Sequence, residues 1–318
     1  ATREFPGRVP AELRSSFDLD LPEGDAELSR SELLARAAGC DGLMVTLRET
    51  VDGELLDAAG PRLRCVATFS VGLDHVDLAA ATERGVVVAN TPGVLTLPTA
   101  ELSIALLLAL VRRVAEGDRL LRTGRPWSWA PSFLLGRGLA GLTLGCIGFG
   151  RIGRETARLA EAFGMQVVHT SRHGAGEPGW RPLDELLAIA DVVSLHCPLT
   201  PETEHLIDAA ALARMKPSAV LVNASRGPVV DEAALVDALR AGVIAGAALD
   251  VFEREPDVHP GLLELENVVL APHLGSATVQ TREAMGMLCV DALRAVLLEG
   301  RAAGNCVNPE ALRRGLLA

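Results

Sequence analysis

Residues 142–153 read Leu142-Thr143-Leu144-Gly145-Cys146-Ile147-Gly148-Phe149-Gly150-Arg151-Ile152-Gly153. The apolar run 142–147 predicts a strand, and Gly148, Gly150 and Gly153 follow it in G-x-G-x-x-G spacing. Residues 151–164 predict a helix, with Ile152, Leu159, Ala160 and Phe163 as apolar positions. Gly148 permits a tight strand-to-helix turn, Gly150 lets a pyrophosphate approach bare backbone, and Gly153 lets the helix pack on the strand. The helix start, carrying Phe149, Arg151 and Ile152 beside the glycines, adds free N–H groups and the positive end of a dipole. A glycine triplet is weak evidence in a chain with 31 glycines, but between a strand and a helix it predicts a dinucleotide site.

On the N-terminal side, apolar runs at 42–47, 63–69 and 85–89 predict strands, with a helix at 74–84. Such alternation implies a parallel sheet. Residues 1–6 read as the end of a first strand. The chain breaks at Asn90-Thr91-Pro92-Gly93, and a long apolar helix follows at 99–113, with Glu101 in its first turn. Beyond the glycines, strands are predicted at 166–169, 191–196, 219–223, 245–249 and 268–271, and helices at 183–188, 209–214 and 232–241. With 142–147 this makes six strands, the count of a full dinucleotide-binding domain. The closing helix at 282–298 has no further strand to serve and is expected to return to the first domain.

The bulk composition fits a two-domain globular protein: 318 residues, 49% hydrophobic, 22% charged. A net charge of −11 argues against nucleic acid and against a basic membrane-docking surface. Lys216 is the only lysine, so single arginines carry little information in this chain. The six cysteines lie without C-x-x-C spacing and read as reduced core residues of a cytoplasmic protein, with no metal site. The most apolar stretch, 102–111, is about half the length a membrane span needs.

Three polar residues stand just past predicted strands: Arg226, Glu255 and His273. In an open parallel sheet the carboxyl ends of the strands line the ligand crevice. Reducing a ketone by hydride leaves negative charge on oxygen, and histidine is a suitable proton donor near neutral pH. A neighbouring carboxylate favours the imidazolium and orients the ring. Arginine can clamp a carboxylate at two points.

These residues also carry a resemblance. The run Asn223-Ala224-Ser225-Arg226-Gly227-Pro228-Val229-Val230-Asp231-Glu232 resembles the arginine motif of the D-isomer-specific 2-hydroxyacid dehydrogenases. Leu249-Asp250-Val251-Phe252-Glu253-Arg254-Glu255-Pro256 is similar to their glutamate motif, and Ala271-Pro272-His273-Leu274-Gly275-Ser276-Ala277-Thr278 to their histidine motif. His196-Cys197-Pro198-Leu199-Thr200 and Ser70-Val71-Gly72-Leu73-Asp74-His75 match two further signatures. The resemblance implies a 2-oxo acid held by the N–H groups near Val71 and Gly72 and by Arg226. It implies proton donation by His273 supported by Glu255, and Asp250 near the nicotinamide carboxamide. Cys197, Pro198, Thr203, Ala224, Ser225 and Gly275 would line the cofactor. The implied fold is α/β with two doubly wound domains: a Rossmann dinucleotide-binding domain, 96–283, inserted in a flavodoxin-like substrate domain, 1–95 plus 284–318.

Pro126-Trp127-Ser128-Trp129-Ala130-Pro131 and Leu135-Gly136-Arg137-Gly138-Leu139 resemble the glyoxylate/hydroxypyruvate reductase branch. There the tryptophan at Trp129 reaches a partner's active site; otherwise Trp127 and Trp129 are interface anchors. Both readings imply a homodimer through the 100–140 region. An NAD site needs an acid about 20 residues past the glycine turn. The strand at 166–170 instead leads into Ser171-Arg172-His173, where a 2′-phosphate would find a hydroxyl and positive charge. NADPH/NADP is expected over NADH/NAD. Competing readings are an NAD-dependent phosphoglycerate or other D-2-hydroxyacid dehydrogenase, and a cofactor-sensing co-regulator of the same fold. Formate dehydrogenase fits less well, because its glutamine stands where this chain has Glu255.

Overall fold

The computed structural model describes residues 1–22, 24, 27–172 and 174–312. The chain divides into two units, Ala1–Leu95 with Ala277–Ala318, and Thr96–Ser276. The first begins with α1 (Val9–Ser16), α2 (Arg30–Ala37), β1 (Gly42–Val45), α3 (Gly53–Ala59), β2 (Cys65–Thr68), α4 (Leu78–Glu83) and β3 (Val87–Ala89). The second holds α5 (Thr96–Val111), α6 (Val114–Arg122), β4 (Thr143–Ile147), α7 (Arg151–Ala162), β5 (Gln166–Thr170), α8 (Leu183–Ile189) and β6 (Val192–Leu195). It continues through α9 (Ala209–Arg214), β7 (Val220–Asn223), α10 (Glu232–Arg240), β8 (Gly246–Leu249), α11 (Pro260–Leu263) and β9 (Val268–Leu270), after which α12 (Val279–Leu297) rejoins the first unit.

The second unit is a parallel sheet in the order β5-β4-β6-β7-β8-β9 among the described residues. Strands β6, β7 and β8 are buried throughout, so they read as unbroken apolar runs rather than alternating ones. Their residues still alternate between two cores: Leu221 and Ala247 pack with Leu186 and Leu235, while Val222 and Ala248 pack with Ile104, Leu107 and Ala160. Outside β5, Trp180 makes an isolated parallel bridge to His169. Counting that bridge as the third strand in sequence, the order becomes 3-2-1-4-5-6 with β9 added as a seventh. The six strands expected from the sequence are the six of this sheet, and the Trp180 bridge lies outside them.

The first unit has the parallel order β1-β2-β3. Helix α12 covers it, with Cys289, Val290, Leu293 and Val296 packed on Met44, Cys65, Ala67 and Val87. Residues 1–6 form no strand; a single bond from Thr2 N–H to Met44 O, 3.0 Å, lays the segment beside β1. The Ala1 ammonium donates to Asp20 O at 2.8 Å, so residues near 20 lie beyond it.

Aspartates set several helix starts: Asp52, Asp77, Asp208 and Asp231 each accept from the backbone three residues on. The cap at Asp77 starts α4 at Leu78, later than the predicted 74. Likewise Thr278 caps the unbroken α12, so the chain returns to the first unit at Ala277 rather than at 284, inside that helix. No helix among the described residues is long and apolar enough to cross a membrane.

Candidate active site

Strand β4 is followed by Gly148, whose φ of +91° lies where L side chains rarely go. A Cβ there would stand 2.5 Å from Cys197 N, and one on Gly153 would stand 2.2 Å from Gly148 O. Both positions therefore demand glycine for close backbone packing. At Gly150, the N-cap of α7, a Cβ would meet nothing within 4 Å. No side chain caps this helix, and its first intrahelical bond is donated by Arg154 N–H to Gly150 O at 3.0 Å. The N–H groups of Arg151, Ile152 and Gly153 thus face an open cradle at the positive end of α7, which fits a pyrophosphate. Beneath the turn lies half-buried His196, bonded to Ser194 Oγ at 2.9 Å and pushed down to about 4 by desolvation of its ring.

On the loop after β9, His273 Nδ1 donates to Glu255 Oε2 at 2.8 Å. Glu255 Oε1 accepts from Phe252 N–H at 3.1 Å. Burial alone would lift the Glu255 carboxyl. The His273 hydrogen bond and charge, the Phe252 N–H and the nearby Arg226 charge hold it below the usual carboxylate range. An ionised carboxylate only accepts, so Nδ1 carries a proton and Nε2 is the ring atom available for chemistry. His273 has φ +54°, a left-handed conformation unusual for a non-glycine residue. Buried Asp250 holds it there. Its carbonyl accepts from His273 N–H at 2.8 Å, and its carboxylate takes Leu274 N–H at 2.6 Å and Gly275 N–H at 2.8 Å. Burial raises the Asp250 carboxyl above its ordinary range against the opposing pull of these bonds and of His273.

Arg226 is presented by the loop after β7. Asn223, buried at the strand end, donates to Arg226 O at 2.9 Å and accepts from Ser225 N–H and Oγ at 3.0 and 2.8 Å. Arg226 Nη1 donates to Ser225 O at 2.8 Å. A Cβ on the next residue, Gly227, would fall 1.9 Å from Phe252 C, so the arginine loop lies flush on the glutamate loop. Buried Glu232 accepts from Glu253 N–H at 2.7 Å, and His205 pairs with Glu253 at 2.7 Å. The second unit thus carries an arginine, a histidine–carboxylate pair and a phosphate cradle at the carboxyl ends of one parallel sheet.

Residues 104–275 match the family model described as "D-isomer specific 2-hydroxyacid dehydrogenase, NAD binding domain". The glyoxylate reductase of Thermococcus onnurineus is 46% identical, with 98% of this chain and 96% of that protein covered. The glyoxylate reductase of Korarchaeum cryptofilum is likewise 46% identical, over 98% and 96%. A crystal structure of the NADPH-dependent glyoxylate/hydroxypyruvate reductase from Sinorhizobium meliloti, in complex with NADP and malonate, matches with a TM-score of 0.84. Its identity is 38%, and 96% of each chain is covered.

The chain belongs to the D-isomer-specific 2-hydroxyacid dehydrogenase family. It is an oxidoreductase with a Rossmann dinucleotide-binding domain, and its chemistry is that of 2-oxo acids.

In this dehydrogenase the other sequence-predicted residues fall into four groups. Ser171 and Arg172 follow β5 on the loop outside the glycine turn, and His173 lies outside the described residues. The Glu202 carboxyl is held low by the Thr200 hydroxyl first and also by the charge of Arg172. This brings the loop after β6 near the loop after β5. Several expected cofactor contacts already serve their own loops. Thr203 Oγ1 donates to Pro198 O at 2.7 Å and takes Thr200 N–H at 2.8 Å, and both Asp250 oxygens are engaged as above. Cys197 is buried against the turn, its thiol pushed up to about 11 by burial, while Pro198 is exposed and Ala224 is half-buried. Gly275 O accepts from Thr99 Oγ1 at 3.1 Å. In the first unit, Asn90 Nδ2 donates to Val71 O at 2.9 Å and Ser70 Oγ to Gly72 O at 2.7 Å. Trp129 is 79% exposed on a segment that also exposes Trp127 and Leu135. The sequence reading missed Asn223, Glu232 and Glu253 as positioning groups. All three sit inside quoted motifs, but a glutamate at a helix start looks the same whether solvated or buried.

Proposed function

We propose that this dehydrogenase is a cytoplasmic reductase of small 2-oxo acids, glyoxylate and hydroxypyruvate above all, that prefers NADPH to NADH. The observation that carries the reading is the 2.8 Å bond from His273 Nδ1 to Glu255, which leaves Nε2 as the ring atom available to donate a proton. The cofactor's pyrophosphate would rest on the α7 cradle, and its bound nicotinamide supplies the hydride. Arg226 takes up the substrate carboxylate in a two-point clamp. Negative charge growing on the keto oxygen draws the proton from Nε2 of charged His273. Glu255 faces that ring through Nδ1 and fixes its plane. Asp250 sets the His273 loop and borders the nicotinamide pocket.

The preference for NADPH rests on the loop after β5. No acid stands at 166–172 to hold a ribose 2′-hydroxyl, while Ser171 and Arg172 offer a hydroxyl and a guanidinium to a 2′-phosphate. The exposed apolar side chains Val114, Leu121, Trp127, Trp129, Phe133 and Leu135 support a homodimer through this region. Trp129 would then help limit substrate size.

The test is a panel of glyoxylate, hydroxypyruvate, pyruvate and bulkier 2-oxo acids with each reduced cofactor. A charge-assisted bond to the 2′-phosphate is worth about 1.5–3 kcal/mol, so kcat/KM should favour NADPH by at least about tenfold. Equal or better values with NADH overturn the cofactor preference. No turnover with any small 2-oxo acid overturns the reductase and favours a cofactor-sensing co-regulator.

A further inference from the structure

The loop that follows β5 closes on itself. Ser171 O accepts from Gly174 N–H at 3.3 Å and from the Trp180 indole N–H at 3.4 Å. A Cβ on Gly174 would stand 2.4 Å from Ser171 Oγ, so the serine hydroxyl is packed against bare backbone. One buried residue ties this loop to the glycine turn. His169, two positions before Ser171 in the chain, is 1% exposed. Its Nε2 bonds Pro178 O at 3.2 Å, its N–H donates to Gly179 O at 3.0 Å, and its carbonyl accepts from Arg181 N–H at 2.8 Å. Its ring lies flat on Phe149 of the glycine turn, with centroids 3.7 Å apart and planes 8° apart. Arg154 of α7 covers Phe149 at 4.5 Å and reaches Glu177 of the same loop at 2.8 Å.

We propose that His169 is a positioning residue for cofactor selection, setting Ser171 and Arg172 for the 2′-phosphate through Pro178 O, with Arg154 and Glu177 as an outer tether. The inference rests on the NADPH reading and adds to it a residue that touches no cofactor. The mechanism of reduction does not use His169. Its burial beneath the turn, and its four separate links to the turn and the loop, exceed what a strand residue needs for packing alone. Stacking fixes the ring plane, the ring plane aims Nε2 at Pro178 O, and that bond holds the far side of the loop whose near side carries Ser171 and Arg172. A displaced loop would cost affinity for the phosphorylated cofactor and spare the unphosphorylated one, whose pyrophosphate rests on α7.

The experiment is titration calorimetry of the full chain with NADP and with NAD, without turnover, beside thermal melting. Three variants are compared with the wild type. His169→Phe keeps an aromatic ring for Phe149 and removes the donor to Pro178 O. His169→Gln keeps a donor near the Nε2 position. Glu177→Gln frees Arg154 at an exposed site that folding tolerates. His169→Phe should weaken NADP about fivefold, the equivalent of one neutral hydrogen bond, and leave NAD within about twofold. Glu177→Gln should weaken NADP about two- to threefold, as suits an exposed pair. His169→Gln should restore much of the NADP-to-NAD ratio. Parallel losses for both cofactors with a lowered Tm would mean a structural role only and overturn the inference, as would an unchanged ratio in both His169→Phe and Glu177→Gln. If the wild type prefers NADP and the variants keep that preference, only this inference falls. A wild type without preference overturns the NADPH reading itself, and this inference with it.

Discussion

Replacing Glu255 by glutamine keeps the side chain's shape and an acceptor oxygen but removes the charge that faces His273 Nδ1 at 2.8 Å. The two side chains are 20% and 28% exposed, so water screens the pair only in part. Unit charges about 4 Å apart attract by about 4 kcal/mol at an effective dielectric constant of about 20. A hydrogen bond to a charged group is worth about 1.5–3 kcal/mol net of desolvation. The ring that gives up the proton then loses the charge that faces it, at a cost of about 2–3 kcal/mol. At 1.36 kcal/mol per factor of ten, kcat/KM for glyoxylate should fall about 30- to 160-fold with NADP affinity unchanged. The overall equilibrium does not depend on the enzyme, so oxidation of the 2-hydroxy acid should lose the same factor. Initial rates in both directions, followed by the absorbance of the reduced nicotinamide, beside the NADP dissociation constant, measure this. A near-normal kcat/KM, or a loss that comes entirely from NADP binding, would refute the assigned roles of the pair.

Arg226→Lys exchanges a planar fork for a point charge, so KM for glyoxylate should rise about tenfold with NADP affinity unchanged; an unchanged KM argues against the clamp. Gly153→Ala puts a methyl 2.2 Å from Gly148 O, which should cost about 1–3 kcal/mol of stability and weaken NADP binding. Normal NADP affinity in that variant would count against the cradle. His196 is pushed down to about 4 by burial, from an ordinary 6.5, so the unfolded chain takes up its proton first. Its contribution to stability is complete above about pH 6.5 and is lost as pH falls toward 4, by about 3 kcal/mol in all. Denaturant titrations of His196→Gln should show a shallower acid loss across that window, and identical slopes for variant and wild type would dismiss the assignment.

The glycine turn was legible because Gly148 and Gly153 answer local backbone demands that only glycine meets. The buried strands were legible as apolar runs, and their order in the chain placed Arg226, Glu255 and His273 at strand ends. The bridge at Trp180 outside β5 was not legible, because a single residue leaves no pattern. Helix α2 carried a readable start in Ser29 and Glu32, a complete capping box, but its short apolar face is too small to announce a helix. At the site, an acid after a strand can face a ligand or its own loop, and only the fold separates the cases. Glu255 turns to the histidine, while the carboxylate of Asp250 turns to the backbone of Leu274 and Gly275. Glu232 acts on Glu253, a loop distant in sequence, so no local spacing could mark it, whereas Asn223 holds its own loop at Ser225 and Arg226.

His273 sits at φ +54°, a conformation that asparagine tolerates better than most residues. His273→Asn therefore removes the proton donor with the least disturbance of the loop. The most direct measurement is kcat for glyoxylate reduction by NADPH in this variant, taken together with its NADP dissociation constant. A proton donor at His273 predicts a fall in kcat of about 10²- to 10⁴-fold with NADP binding preserved. A near-normal kcat would contradict it.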